Sequence, residues 1–440
     1  MKKIYIETLG CPKNLNDSQV AAGILEDAGN VIVENPEDAD FIMVNTCGFI
    51  NDAKKESIDK IFEMADIKEK DTKLIVSGCL SQRYGEDLYE EMPEVDCFLG
   101  VNEYERLPEI LEELSEAEDR VLLTNSCDLD YLERSIRKLE DNPYTATLKI
   151  AEGCNNSCAY CIIPKIRGHY RSKREEDILA EARELAAAGC KELILIAQDV
   201  TYYGMDLYGE YRLAKLLKKL CKIDGIEWIR LMYCYEDKIT DELIETIAEE
   251  DKICNYLDIP IQHGSDAVLE AMNRNSTAKS IDELLAKLKK AIPDVHIRTT
   301  LIVGFPGETE EDYDTLIEFV EKERFARLGV FAYSQEENTV AGEMENQIDE
   351  EVKAQRLDGI MRRQLDISLE LNKEKVGRTL EVMVDEKDLD GSYIGRTRYD
   401  APEIDNSVLF TSERELKPGD IVMVKIIDAY DYDLVGKEEE

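Results

Sequence analysis

The sequence predicts an α/β protein in three parts: an N-terminal parallel α/β domain, a central run of six β-α repeats and a small C-terminal all-β barrel. Three observations carry this. Short apolar runs alternate with amphipathic helices over residues 1 to about 115, and the rhythm restarts at Ala146. Such alternation is how parallel strands covered by helices read in sequence. A charged, patternless stretch from Ser126 to Pro143 separates the two runs. From Gly377 the helical pattern ends, and short strands punctuated by Pro402 and Pro418-Gly419 suit a small closed barrel. The boundaries are set at 1–118, a linker at 119–139, a core at 140–370 and the barrel at 373–438.

In the first part Ile4–Thr8, Phe41–Asn45 and Leu74–Ser77 read as strands, and Asp17–Ala28 and Asp52–Ala65 as helices. In the second, the strands are Ala146–Ile150, Glu192–Ala197, Trp228–Tyr233, Tyr256–Ile261, His296–Val303 and Arg327–Ala332. Between and after them the helices are Asp177–Ala188, Arg212–Ile223, Asp241–Glu250, Ser265–Met272, Ile281–Ala291 and Glu310–Glu321. Six repeats fall short of the eight of a full barrel, so by count alone an open barrel and a doubly wound sheet both fit. Gln355–Lys375 reads as one more helix, followed by strands Leu380–Val384, Ser392–Thr397, Val408–Phe410 and Ile421–Ile427.

The chain has 440 residues and a formal charge of −42. A balance this acidic argues against nucleic acid as the main partner, because phosphates are gripped by Lys and Arg. The 43% hydrophobic content is that of a folded protein. The start MKKIYIETLGC alternates as a strand and lacks the apolar segment of an export signal. No run approaches 18 apolar residues, so no membrane span is expected. Twelve cysteines without an export signal imply a reducing, cytoplasmic setting, where metal binding or catalysis is favoured over disulfides.

The strongest local motif is Cys154-x3-Cys158-x2-Cys161, placed just after the strand Ala146–Ile150. Thiolates at this spacing hold iron–sulfur clusters or zinc. Three of them leave one iron of a cluster without a protein ligand, whereas zinc would take a fourth from His169. Cys11, Cys47 and Cys79 lie too far apart for a local motif. Each follows a predicted strand, so a parallel sheet would gather them at one edge. Three buried structural thiols remain the alternative at this stage. Cys97, Cys127, Cys190, Cys221, Cys234 and Cys254 show no ligand spacing and read as core thiols.

The stretch EGCNNSCAYCIIPKIRGHYRS resembles the signature of radical S-adenosylmethionine (SAM) enzymes, with Tyr160 as the aromatic before the last cysteine. Together with LGCPKNLNDS, NTC and GCLSQR upstream, the chain resembles the radical SAM methylthiotransferase family over nearly its whole length. The resemblance implies an N-terminal methylthiotransferase domain, an open (β/α)6 radical SAM partial barrel and a C-terminal TRAM barrel. It implies two 4Fe-4S clusters, one on Cys154, Cys158 and Cys161 that binds SAM, the other on Cys11, Cys47 and Cys79 that carries the sulfur to be transferred. Chemistry then rests on the clusters, with an external electron donor and a sulfur donor as partners. Strand ends supply the expected SAM contacts: Gln198 and Asp199 after the second strand, Gln262 and His263 after the fourth, Arg298 in the fifth and Gly304 after it. Pro306-Gly307 reads as a turn, and Arg167 and Arg171 as solvent-exposed cations by default. Asn338 stands where the family commonly has glycine.

Within the family, the CIIPKIRG stretch, the HGSD residues after Gln262 and GRTRYDAPEIDNSVLF resemble the branch that modifies the β-carbon of an aspartate in ribosomal protein S-twelve. From Gly377 to Glu440 there are 8 Lys and Arg against 17 Asp and Glu. That sign suits a basic ribosomal protein, free or in the small subunit, better than tRNA. The alternative within the family is methylthiolation of N6-isopentenyl- or threonylcarbamoyladenosine in tRNA. The alternative of another class, a non-catalytic metal-binding scaffold, would need fewer of these residues.

Overall fold

The computed structural model describes residues 1–116, 119–124, 137–139 and 144–439. The first sheet contains β1 (Lys3–Thr8), β2 (Val31–Ile32), β3 (Phe41–Thr46), β4 (Lys73–Gly78), β5 (Cys97–Leu99) and β6 (Val121–Leu123). All pair parallel, in the order β2-β1-β3-β4-β5-β6. Successive side chains of a strand point to opposite faces, and β3 uses both. Phe41 and Met43 pack with Ala21, Leu25 and Ile110 on one side, whereas Ile42 and Val44 pack with Ile61, Met64 and Leu88 on the other. The order reverses direction between β1 and β3. A crevice opens at the carboxyl ends of strands at such a switch point.

The central sheet contains β7 (Thr145–Lys149), β10 (Glu192–Ile196), β11 (Trp228–Leu231), β12 (Ile253–Asp258), β13 (His296–Val303) and β14 (Arg327–Ala332), with a small ribbon of β8 (Ala151–Glu152) and β9 (Arg171–Ser172) after β7. Its neighbours follow chain order without a break, and all are parallel. Winding in one direction makes this an open partial barrel and excludes the doubly wound alternative. Its outer face packs Leu193, Leu195, Leu231 and Leu257 against the helices. Its inner face presents Ile194, Ile196, Trp228 and Tyr256 to Met383 and Ala401 of the C-terminal domain. That domain is a closed barrel of β15 (Thr379–Lys387), β16 (Tyr393–Thr397), β17 (Val408–Thr411), β18 (Ile421–Ala429) and β19 (Leu434–Glu438).

Several expectations change. β6 completes the first sheet, so that domain runs past 118 to at least Leu123; three half-buried edge residues were too short a signal. Most of the expected linker, and Cys127, lie outside the described residues. Its Arg137, however, is buried against Glu181 at 2.7 Å, and the Lys138 amide donates to the Gln19 carbonyl. The first helix starts at Pro12 rather than Asp17, because proline at the first helical position follows directly on the extended Cys11. The barrel gains a fifth strand, Leu434–Glu438, and β12 starts three residues before the expected Tyr256. Among the described residues no helix is long and apolar enough to cross a membrane.

Candidate functional site

Cys11, Cys47 and Cys79 each follow the carboxyl end of a strand, β1, β3 and β4, beside the switch point. Two glycines let their loops meet. Gly10 has φ +93°, and a Cβ there would lie 2.8 Å from Cys47 Cβ. Gly78 also has φ +93° and lies against Asn45 and Thr46. L-residues resist both the dihedral and the crowding. Asn14 ties the loops together: its amide donates to the carbonyls of Leu9 at 2.9 Å and Thr46 at 3.0 Å. Burial pushes the Cys47 thiol up to about 11, and the nearby Cys79 and Cys11 push in the same direction.

Cys154, Cys158 and Cys161 form the second trio. The Asn156 amide donates to Cys154 Sγ at 3.4 Å, and Cys158 Sγ lies 3.3 Å from the Tyr235 hydroxyl. Arg274 is 3.9 Å from the same sulfur and 3.5 Å from the Tyr160 hydroxyl. Burial raises Cys154 to about 11 and raises Cys161 further, where Cys158 adds to the effect. Among the described residues no three His, Cys, Asp or Glu side chains converge as ligands of a single metal ion. His169, the fourth ligand a zinc would need, is exposed. A four-iron cluster is several ångströms across, so its thiolates stand around it rather than meet at a point. Two trios of neighbouring thiols just past strand ends, each supplying three ligands, fit that group.

Arg167 links the first trio to the segment just before the second. It was expected in solvent, yet it is 2% exposed. One guanidinium nitrogen donates to Asp17 at 2.7 Å and lies 3.3 Å from Glu152, two residues before Cys154. The other donates to Asn14 at 2.8 Å and lies 3.3 Å from Cys79 Sγ. Lys149 completes the network with Asp17 at 2.6 Å and Glu152 at 2.8 Å. Burial opposes ionisation of Glu152, but Lys149 and Arg167 outweigh it and hold the carboxyl well below its usual range. An apolar patch of Cys79, Val101, Ile162 and Ile166 seals the same junction.

The expected SAM contacts divide. Tyr160 is half-buried beside the second trio, and Gln198 donates to Glu152 at 2.6 Å while its carbonyl oxygen is buried without a partner among the described residues. Gln262 holds a left-handed backbone, φ 76°, at the end of its strand. Asp199 is occupied by protein: Asn156 at 2.9 Å, Lys238 at 3.2 Å and Thr201 at 2.5 Å all reach its carboxylate. His263 is fully buried, with Nδ1 accepting from the Ser265 amide and Nε2 3.6 Å from Glu308. Glu308 in turn accepts from the Gly304 amide at 2.8 Å, so His263 braces that loop. A side chain at Gly304 would collide with Lys353, so the close approach there is to protein. Arg298 is turned toward Asp258 at 3.0 Å and Asp405 of the C-terminal barrel at 3.4 Å. Tyr235, Arg274, Lys238, Glu152, Asp17 and Lys13 were not singled out from sequence. Only the quoted stretches LGCPKNLNDS and EGC, which contain Lys13, Asp17 and Glu152, carried a signal for any of them.

Residues 3–100 match the uncharacterized protein family UPF0004, 148–320 the radical SAM superfamily and 376–438 the TRAM domain. A ribosomal protein uS12 methylthiotransferase, RimO, of Clostridioides difficile is 50% identical over 99% of this chain and 98% of its own length. Its counterpart in Desulforamulus reducens is 49% identical over 99% of both chains. The chain belongs to this RimO methylthiotransferase family. The radical SAM methyltransferase TsrM of Kitasatospora setae superposes with a TM-score of 0.58 over 86% of this chain and 76% of its own, at 12% identity. The cobalamin-dependent SAM radical enzyme OxsB gives 0.54 over 91% and 64%, also at 12% identity. These two likenesses speak to the fold alone. The five buried cysteines outside the trios, Cys97, Cys190, Cys221, Cys234 and Cys254, match the core role expected of them.

Proposed function

We propose that this radical SAM methylthiotransferase adds a methylthio group to the β-carbon of an aspartate in ribosomal protein uS12. The observation that carries the reading is the meeting of two separate thiol trios at one domain junction, bridged by the buried Arg167. A single trio would serve radical generation alone; transfer of sulfur needs a second site close by. Relatives alike over the full length and named for uS12 supply the substrate. The acidic C-terminal barrel is of the right sign for a basic ribosomal protein.

Cys11, Cys47 and Cys79 would hold the sulfur-bearing 4Fe-4S cluster, and Cys154, Cys158 and Cys161 the one that binds SAM. When bound, these groups supply the radical and the sulfur that the side chains cannot. The chain's own part is placement and exclusion of water. Tyr235 and Arg274 flank Cys158, and Ile162 and Ile166 wall Cys79 from solvent. The Gln198 carbonyl oxygen, without a partner among the described residues, suits the ammonium of SAM, with Tyr160 and Gln262 as the further expected contacts. An external reductant, a sulfur donor and a cytoplasmic site of action follow from this chemistry.

Mass spectrometry of uS12 and of tRNA from a deletion strain tests the reading. The expected result is loss of a methylthio group from uS12 with tRNA unchanged. Loss from tRNA with uS12 intact would overturn it.

A further inference from the structure

We infer that Lys13 recognises the carboxylate of the substrate side chain, an inference that rests on aspartate being the substrate. Lys13 lies in the first turn of the helix Pro12–Asp27, two residues after Cys11, and is only 9% exposed. Its ammonium sits 3.3 Å from the centre of the Tyr233 ring. Among the described residues it has no carboxylate within ion-pair reach. That is unusual, because a buried lysine is normally paired.

The neighbouring cations show what pairing looks like here. Lys149 has Asp17 and Glu152, Arg167 has the same two, and Lys238 has Asp199 and Asp237. Lys13 has an aromatic face, which attracts an ammonium without neutralising it. In a chain carrying 96 Asp and Glu against 54 Lys and Arg, a buried lysine that faces only an aromatic ring and the Cys11 thiol, with no carboxylate among the described residues, suits an incoming carboxylate.

Its place points to the same chemistry. Tyr233 follows the carboxyl end of β11 in a left-handed conformation, φ 60°. Asp258 accepts from its amide at 3.0 Å, and its carbonyl accepts from the Val200 amide at 3.1 Å. Two residues further on, Tyr235 meets Cys158 of the second trio. Lys13 therefore stands between the two trios, where the reacting carbon must be held. In an aspartate the β-carbon is bonded directly to the carboxyl carbon, so a cation that grips the carboxylate also fixes the reacting atom. Asparagine has the same shape without the charge and would be discriminated against.

Lys13→Met and Lys13→Arg enzyme, reconstituted anaerobically, would be compared with wild type on uS12-derived peptides carrying Asp or Asn at the target. Iron content, peptide affinity by fluorescence anisotropy, and KM and kcat would be read separately. The expected result is intact iron content in both variants. In Lys13→Met the KM for the Asp peptide rises about 10- to 100-fold, matching loss of one charge-assisted hydrogen bond, and the Asp-over-Asn preference collapses. Lys13→Arg restores part of that preference. A Lys13→Met enzyme with the wild-type Asp-over-Asn ratio would overturn the inference while leaving the substrate reading standing. Loss of iron in Lys13→Met would also overturn it, by making the residue part of the cluster fold. A wild type that modifies no aspartate would remove the substrate reading and the inference together.

Discussion

The central sheet meets a different domain at each end. At the carboxyl ends, the N-terminal domain docks through Arg167, Lys149, Asp17 and Glu152, and through Lys54 and Arg83 on the buried Glu336 at 2.9 Å each. At the amino ends, the C-terminal barrel docks through Trp228, Tyr256 and Met383 around one enclosed ionic group, Glu192 with Arg230 at 2.8 Å and Arg396 at 2.6 Å. Both junctions bury charge. At the amino ends each of these charges has an opposite one in reach: Glu192 lies between Arg230 and Arg396, and Arg396 also reaches Asp385 at 3.3 Å. At the carboxyl ends, among the described residues, the Lys13 ammonium has no carboxylate in reach and the Gln198 oxygen has no donor. A buried cation without a carboxylate marks the working end, and ion pairs with both partners present mark the structural one.

Four outcomes would break or sharpen this contrast. The largest concerns the trios: Cys79→Ala or Cys158→Ala should abolish methylthiotransfer and lower the iron content from about two clusters to about one. Iron analysis of the reconstituted protein checks this. Next, Arg167→Met and Glu192→Ala each strand buried charges of one sign, and each should cost about 3–5 kcal/mol in denaturant unfolding. Only Arg167→Met should also reduce iron at the first trio; equal iron loss in both would erase the contrast.

A smaller effect comes from pH at the structural end. Burial alone would raise the Asp400 carboxyl, but Arg327 and Lys375 outweigh it and hold it down at about 2. A carboxylate depressed on folding contributes stability above its unfolded value near 3.8, which is lost as pH falls toward 2. Acid unfolding should therefore show a loss of about 2 kcal/mol over that window that Asp400→Asn does not. The smallest concerns Asn338, at φ 64°. Asn338→Gly should change thermal stability by less than about 1 kcal/mol, whereas Asn338→Val should destabilise by about 1–2 kcal/mol.

The last case shows what sequence could and could not convey. Asparagine for glycine looked like a departure, but after glycine it is among the residues best able to hold a left-handed position, and Asn338 holds one. The second trio was legible because its spacing is local. The first was not, since Cys11, Cys47 and Cys79 meet only through the strand order, and the family resemblance had to supply the connection. Arg167 was misjudged because a lone arginine carries no sign of burial; its acids, Asp17 and Glu152, lie 150 and 15 residues away. Asp199, His263 and Gly304 were correctly placed at strand ends, yet neighbours from other loops and the helix Glu350–Lys373 claim them.

That helix also decides how the barrel is mounted. Its 24 residues, about 36 Å of rod, run along β14 and end six residues before the barrel's first strand. Near its end the Asn372 amide donates to the carbonyls of Tyr430 at 3.1 Å and Tyr432 at 3.2 Å in a barrel loop. The barrel is thus bolted to the core rather than tethered. A protein substrate seated on it would therefore meet one fixed distance from barrel to thiols rather than a variable one.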